Sequence, residues 1–262
     1  MATGHEVVAI RFGTVTSSRS QLFYNYGLYG EEDAVIAMDY FFWVIRNDRD
    51  VILVDTGFQA VVGRRRGRTP LIDPLAALAA LGISKEQVSQ IVITHLHYDH
   101  IGNLAAFPEA AITIQRREVD FWTSPDAKHP QIEYLVEPSE IEYVREEVET
   151  GRMRCVDGDS RITSGVRVEL VGGHSPGQQI VIVDGARRPI VIASDALHFY
   201  EELERDMPFG IFTDLVDTYR AYGTLRSLEE GGAVVVAGHD PSVMTRFETM
   251  GRPGEHMAVL IG

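Results

Sequence analysis

THLHYDHIGN, at residues 94–103, places three of the chain's nine histidines and one aspartate between positions 95 and 100. In an α-helix, His95 and His97 would lie about 200° apart around the axis and would diverge. At the end of a strand their side chains point the same way, and a tight loop lets Asp99 and His100 turn toward a second point. The spacing therefore predicts two neighbouring metal positions rather than one.

The bulk composition predicts one globular domain spanning residues 1–262. The chain has 262 residues, 45% of them hydrophobic, which is enough to bury a sizeable core. No run approaches the roughly 18 apolar residues of a membrane-spanning helix. The start, MATGHEVVAIRFG, lacks a basic segment followed by a long apolar run, so no signal peptide is expected. We therefore expect a cytoplasmic protein with no membrane partner.

The charge distribution excludes some partners and leaves others open. A formal net charge of −14 argues against a nucleic-acid partner, because phosphates require a positive surface. The stretch GRRRGRTP (63–70) is a local exception, interpreted as a solvated loop, a flap beside the site or an oligomer contact. A homodimer therefore stays possible. The single cysteine, Cys155, permits no internal disulfide, so any metal must be held by nitrogen and oxygen ligands.

Short apolar runs that end in polar residues predict the strands of a layered α/β protein. Strands are predicted at 40–47, 50–58, 90–97, 110–118, 166–173, 179–185, 189–196 and 233–240, and helices at 71–83, 138–151 and 213–232. Polar residues recur where these strands end, at Asp55, His95, His174, Asp195 and His239. Because strand ends present side chains with precision, we expect these residues to meet at one edge of the fold.

Three of those residues supply the ligands that the histidine cluster still needs. His174 lies in GGHSPGQ, Asp195 in IASDALH and His239 in VAGHDP, and each follows a predicted strand. Together with the cluster they make five histidines and two aspartates. This set predicts two divalent metal ions and suits zinc, although manganese, iron and cobalt are also open.

The segments THLHYDH, GGHSPGQ, ASDA and AGHD, preceded by VDTGF, resemble the motifs of the metallo-β-lactamase superfamily over roughly residues 38–245. The resemblance implies an αββα four-layer sandwich with a two-metal site at one edge of the sheets. In that pattern one metal is bound by His95, His97 and His174, the other by Asp99, His100 and His239, and both by Asp195. Asp55 of VDTG resembles the family's buried structural aspartate, which supports the site.

Within the superfamily the chain resembles the N-acyl homoserine lactonases, which share HxHxDH, a GHSPGH-like segment, DA after the bridging aspartate and a late GHD. A β-lactamase with a cysteine ligand does not fit, because Asp195 occupies the bridging position. Glyoxalase II carries a helical tail, whereas about 23 residues follow His239 here. Nucleases of the superfamily need extra domains and a basic surface. The resemblance implies a hydrolase acting on a lactone or related ester, with a possible role in quorum quenching.

The expected reaction uses a hydroxide shared by two cations about 3.5–4 Å apart, with a pKa near neutrality. Asp99 is expected to orient this nucleophile, and the positive charge stabilises the oxyanion as the lactone opens to a hydroxy acid. The lactonases carry a tyrosine three residues after the bridging aspartate, where this chain has His198, followed by Tyr200. Either residue is expected to polarise the lactone or protonate the leaving group, or His198 merely fills space.

The substrate is expected to be a neutral lactone or ester, because an acidic protein does not attract anions from a distance. Four aromatic residues are expected either near the mouth of the site, where they would hold an acyl chain, or in the core: Phe58, Phe199, Phe209 and Phe212. The residues also leave open a thioester, a cyclic amide or a phosphodiester as the bond cleaved, an iron-dependent redox protein, and a purely structural metal site.

Overall fold

The computed structural model describes residues 4–250 and 257–262, and two β-sheets pack face to face within it. Its strands are β1 (Glu6–Ser18), β2 (Val35–Arg46), β3 (Val51–Val54), β4 (Thr69–Pro70), β5 (Gln90–Val92), β6 (Ala111–Gln115), β7 (Met153–Val156), β8 (Ser160–Thr163), β9 (Val166–Leu170), β10 (Gln179–Asp184), β11 (Pro189–Ser194), β12 (Val234–Ala237), β13 (Glu248–Met250) and β14 (Ala258–Leu260). Its α-helices are α1 (Arg19–Leu22), α2 (Ala60–Arg65), α3 (Pro74–Ala80), α4 (Tyr98–Ile101), α5 (Arg116–Trp122), α6 (Pro130–Glu133), α7 (Pro138–Glu149), α8 (Tyr200–Arg205), α9 (Leu215–Glu230) and α10 (Val243–Arg246).

The first sheet has the order β13-β14-β1-β2-β3-β5-β6-β7, with β4 paired to β1, and the second has the order β12-β11-β10-β9-β8. Strands β3, β5, β6 and β7 run parallel to one another, as do β11 and β12. Strand β10 is antiparallel to both β9 and β11, so β9, β11 and β12 share one direction. The carboxyl ends within each of these parallel groups therefore lie at a common sheet edge.

Alternating side chains of β2 explain why YFFWVI, at residues 40–45, contains no charged residue. Phe41, Trp43 and Ile45 belong to the core cluster shared with the second sheet, whereas the residues between them belong to the cluster beneath α3, α5 and α7. A strand buried on both faces has no solvent-facing side and needs no polar alternation. Helix α9 covers the second sheet with Tyr222 and Leu225. These four layers confirm the αββα sandwich.

The structure also differs from the sequence-based elements in specific places. Strand β1 was not predicted, because Arg11 and the threonines of its second half break the apolar pattern, although it pairs with β2 over nearly its whole length. Strand β5 ends at Val92, three residues before His95, and α4 begins at Tyr98. The predicted strand at 110–118 is β6 followed directly by α5. Within residues 4–250 and 257–262, no helix combines the length and apolar character needed to cross a membrane.

Candidate metal site

The predicted ligands lie where strands of the two sheets end. Asp55 follows β3 and the histidine cluster follows β5, both in the first sheet. His174, Asp195 and His239 follow β9, β11 and β12, whose common direction brings their carboxyl ends to one edge of the second sheet. The site is therefore assembled from both sheets, on loops held by buried strands.

The structure brings all seven predicted ligands into two buried groups. His95, His97, His174 and Asp195 form one group, and Asp99, His100 and His239 form the other. Within each group the ligand atoms lie within 4.8 Å of one another. This separation into two sets matches the division that the family resemblance implies, and each set could hold one metal ion.

Asp195 lies between the two groups, with one carboxylate oxygen facing each. Its Oδ2 atom is 3.3 Å from Nε2 of His174 and 3.7 Å from Nε2 of His95. Its Oδ1 atom is 3.2 Å from Nε2 of His100 and 3.1 Å from Nε2 of His239. A carboxylate placed in this way could bind both metals at once.

The donor atoms fit divalent metals because several of them have no protein partner. Nε2 of His95 and His100 is buried and makes no hydrogen bond within the described residues. Leaving a buried polar atom unsatisfied costs about 1–3 kcal/mol, so the two together indicate that another group satisfies them. Imidazole nitrogens with carboxylate oxygens are the ligands of zinc and similar cations.

A second layer of hydrogen bonds orients the imidazoles. Nδ1 of His100 lies 2.7 Å from Oδ2 of Asp55, Nδ1 of His239 lies 2.7 Å from the Asp39 carbonyl, and Nδ1 of His174 lies 2.9 Å from the Ile211 carbonyl. Each carbonyl or carboxylate accepts a hydrogen bond from Nδ1–H, which leaves the lone pair of Nε2 to bind a metal. This outer layer fixes both the tautomer and the ring orientation.

Asp55 connects the two sheets at the base of the site. Its carboxylate accepts hydrogen bonds from the backbone N–H and hydroxyl of Thr94, at 2.8 and 2.7 Å, in addition to the bond from His100. The Thr94 hydroxyl lies 2.9 Å from that of Ser194 in the second sheet. Asp55 and Ser194 both have left-handed backbones, with φ of 61° and 47°. Such strain in non-glycine residues persists where the surrounding contacts over-determine it, as at functional sites.

Glu118, at the start of α5, is a site residue that the sequence analysis missed. Its fully buried carboxylate accepts hydrogen bonds from the Leu96 N–H at 2.9 Å and the Gly177 N–H at 2.7 Å, and from the Ser175 hydroxyl and the Trp122 indole. Burial raises its pKa, and these four donors partly oppose that shift. Leu96 lies between His95 and His97, and Ser175 follows His174. Glu118 therefore joins the two loops that carry the first ligand group.

Burial sets the protonation of the first group. It lowers the pKa of His95 and His97 well below the ordinary histidine value and that of His174 to about 3. His100 differs: burial lowers its pKa, but the surrounding carboxylates outweigh burial and raise it well above that value. Neutral imidazole is the form that binds metals, so burial, together with the neighbouring histidines, keeps the three histidines of the first group ready to act as ligands.

The structure separates the two candidates for the proton donor. Nε2 of His198 is 3.2 Å from Oδ2 of Asp195, and its ring stacks on Phe209 with centroids 3.7 Å apart. Burial lowers the pKa of His198, but Asp195 and Glu202 raise it to a net value of about 9. Tyr200 points elsewhere: its ring lies in the core of the second sheet with the Arg246 guanidinium 3.8 Å from the ring centroid.

A cavity of about 690 Å³ opens onto the ligands. We call its three sides the floor (His97, Asp99, His174, Asp195 and His198), the apolar wall (Val15, Leu22, Met38, Phe209 and Ile211) and the rim (Arg66, Arg68, Tyr98, Tyr134 and Leu135). Of the four aromatic residues expected near the mouth, Phe209 lines this cavity. The other three do not: Phe58 and Phe199 pack in the core and Phe212 packs against Tyr24.

Comparison with known proteins places this geometry in a family. A family model described as the metallo-beta-lactamase superfamily matches residues 39–239. The N-acyl homoserine lactonase AttM of Azorhizobium caulinodans is 30% identical over 178 residues, covering 66% of each chain. The N-acyl homoserine lactonase of Bacillus cereus is 29% identical over 171 residues, covering 62% of this chain and 60% of that protein. The matched region thus spans 66% or less of these relatives.

Solved structures show the same fold. A quorum-quenching N-acyl homoserine lactone lactonase aligns with a TM-score of 0.73 at 20% identity, over 92% of this chain and 94% of that one. AidC, described as a dizinc quorum-quenching lactonase, aligns with a TM-score of 0.75 at 21% identity, over 92% of this chain and 90% of that one. Together with the family match, these likenesses establish that the chain belongs to the metallo-β-lactamase superfamily.

Proposed function

We propose that this protein is a metal-dependent hydrolase that opens a lactone ring, with two divalent cations, zinc by preference, bound by the seven clustered residues. The observation that carries the proposal is Asp195, whose two oxygens face the two ligand groups at 3.1–3.7 Å. The similarity to N-acyl homoserine lactonases supports a lactone as the substrate. Two cations held there supply an activated water and a positive charge for the carbonyl oxygen.

The chain's own residues then complete the reaction. Asp99, a member of the second group, orients the attacking water, while Asp195 holds the two ligand groups next to each other. His198 lies in the floor beside Asp195 and delivers a proton to the departing ring oxygen, with Glu202 3.5 Å from its other ring nitrogen. Burial of the floor excludes bulk water and strengthens these charge interactions. The product is a hydroxy acid.

Metal analysis together with a substrate panel tests the proposal. Purified protein is expected to carry about two equivalents of divalent metal. It should open N-acyl homoserine lactones and simple γ-lactones in a pH-stat assay, lose this activity with a chelator and regain it with zinc. Turnover confined to a thioester, a cyclic amide or a phosphodiester would reject the lactone assignment and keep the hydrolase. Iron content with an optical absorption band and no hydrolysis would favour a redox protein.

A further inference from the structure

The arginine-rich segment at 63–70 forms part of the rim of the cavity, and its charges are used unequally. Arg66 is fully engaged: it forms an ion pair with Glu137, donates to the Tyr134 and Val136 carbonyls, and stacks 4.2 Å above the Tyr98 ring. These contacts attach the segment to the chain between α6 and α7. The charge of Arg66 is therefore paired within the protein and serves to hold the segment in place.

Arg68 has no such counterion. It forms no ion pair within 4.0 Å to any carboxylate of residues 4–250 and 257–262, although it is half-buried in the cavity lining. Its Nε atom donates to the Tyr98 hydroxyl and its Nη1 atom to the Arg66 carbonyl, both at 3.0 Å. These two bonds fix the guanidinium and leave Nη2 available. Arg68 therefore lines the cavity as a fixed cation with one terminal nitrogen that can still donate, which favours an anion that enters the cavity.

The rest of the cavity restricts what that anion can be. The apolar wall suits a hydrocarbon part of the substrate, and the floor positions the bond to be cleaved, so the anion belongs to a part of the substrate remote from that bond. One available terminal nitrogen matches one carboxylate better than a multiply charged phosphate. The net charge of −14 gives no long-range attraction for anions, so Arg68 acts by local contact.

We propose that Arg68 is a specificity-determining residue that binds a carboxylate carried by the substrate at a distance from the scissile ester, so that the preferred substrates are carboxylated lactones. This inference rests on the proposed lactone hydrolysis for its reaction, but the carboxylate subsite itself does not depend on turnover. It replaces the neutral lactone expected from the net charge with a lactone that carries an anionic substituent.

A pair of isosteric substrates tests the inference on the zinc-loaded enzyme. The pair is a γ-lactone bearing a carboxylate on a short alkyl chain and its primary amide, which has nearly the same shape without the charge. The wild type should prefer the carboxylate about tenfold or more in kcat/KM, since hydrogen bonds to charged groups contribute about 1.5–3 kcal/mol. Arg68→Gln should abolish this preference, whereas Arg68→Lys should retain part of it because lysine keeps the charge.

Arg64→Gln is the matched control, because Arg64 is exposed in the same segment and does not line the cavity. It should keep the preference. If Arg68→Gln lowers turnover of both substrates by the same factor, or if Arg64→Gln abolishes the preference as well, the inference is overturned. The first result would indicate a structural role and the second a general charge effect.

Equilibrium binding separates this inference from the proposed reaction. Adipate and its monoamide each offer one carboxylate to the floor, and adipate offers a second to the rim. By calorimetry, the wild type should bind adipate about tenfold more tightly, and Arg68→Gln should bind the two alike. Equal binding by the wild type would reject the subsite. If the wild type binds adipate more tightly than the monoamide but hydrolyses no lactone, the subsite is retained and the proposed reaction is rejected.

Discussion

The floor and the rim of the cavity are built in different ways. Floor residues such as His174 and Asp195 are buried, and they are oriented by hydrogen bonds with the Ile211 carbonyl and the His239 ring. Rim residues other than the buried Tyr98 are more exposed, up to 52% for Tyr134, and are held mainly by hydrogen bonds from arginines to backbone carbonyls. The difference implies that the floor determines the reaction. Substitutions in the rim can alter the substrate preference with little effect on the free energy of unfolding.

Asp195→Asn should have the largest effect, because it removes the charge of a carboxylate that faces both ligand groups. We expect loss of bound metal and a fall in kcat/KM beyond the roughly 100-fold that outer partners of a metal site cost. Metal content and lactone turnover measure the effect, and circular dichroism checks the fold. A variant that retains both metals and normal turnover would contradict the assignment of the floor.

His198→Phe should lower kcat by about 100-fold, the lower end of what general acid catalysis contributes. The substitution keeps a ring against Phe209 but removes the proton. The loss should shrink for an aryl ester, whose leaving group needs no protonation. Tyr200→Phe is the control, since Tyr200 lies outside the cavity, and it should change kcat less than about twofold. Equal losses for both substrate types would assign His198 a packing role.

Asp55→Asn should weaken metal binding by about tenfold or somewhat more, because the neutral amide supports His100 less well than the carboxylate does. Competition with a chromogenic chelator measures this affinity. Asp73→Asn is a suitable control: Asp73 caps α3 through its side chain, and asparagine caps helices equally well. An unchanged metal affinity in Asp55→Asn would show that this outer layer does not tune the floor.

Glu118→Gln should have the smallest effect on activity and a measurable effect on folding. Its four hydrogen bonds are made to a carboxylate, and an amide can accept fewer of them, so the free energy of unfolding should fall by about 1–3 kcal/mol. Urea denaturation measures this loss, with the exposed Glu109→Gln as control. A loss of metal affinity without any loss of stability would mean that Glu118 acts on the ligand loops alone.

Much of the floor was predictable from sequence because its residues lie at strand ends in recognisable contexts. The apolar runs before Asp195 and His239 indicated the strands, and shared strand direction then brings the tips together. The assignment of His95 to a strand end was close, although β5 ends three residues earlier. The predictions of one domain, of a possible homodimer and of no nucleic-acid partner stay predictions.

Other features depend on contacts that sequence spacing does not encode. Glu118 lies in QRREVDF, a run of charges that usually indicates solvent exposure, yet its neighbours bury it completely. Tyr200 is two residues from His198, but it begins α8, and the change of direction there turns its ring into the core. Arg66 and Arg68 share a charged segment, and only tertiary structure gives one of them a counterion.

The ligands come from loops of both sheets, so bound cations would act as cross-links between the halves of the sandwich. Their binding would raise the free energy of unfolding by about 2.7 kcal/mol when the free metal concentration is 100 times the dissociation constant. The lifetime of the folded chain would then follow the free-ion concentration around it. Metal starvation would expose the inner faces of the sandwich to proteolysis as well as stop the reaction.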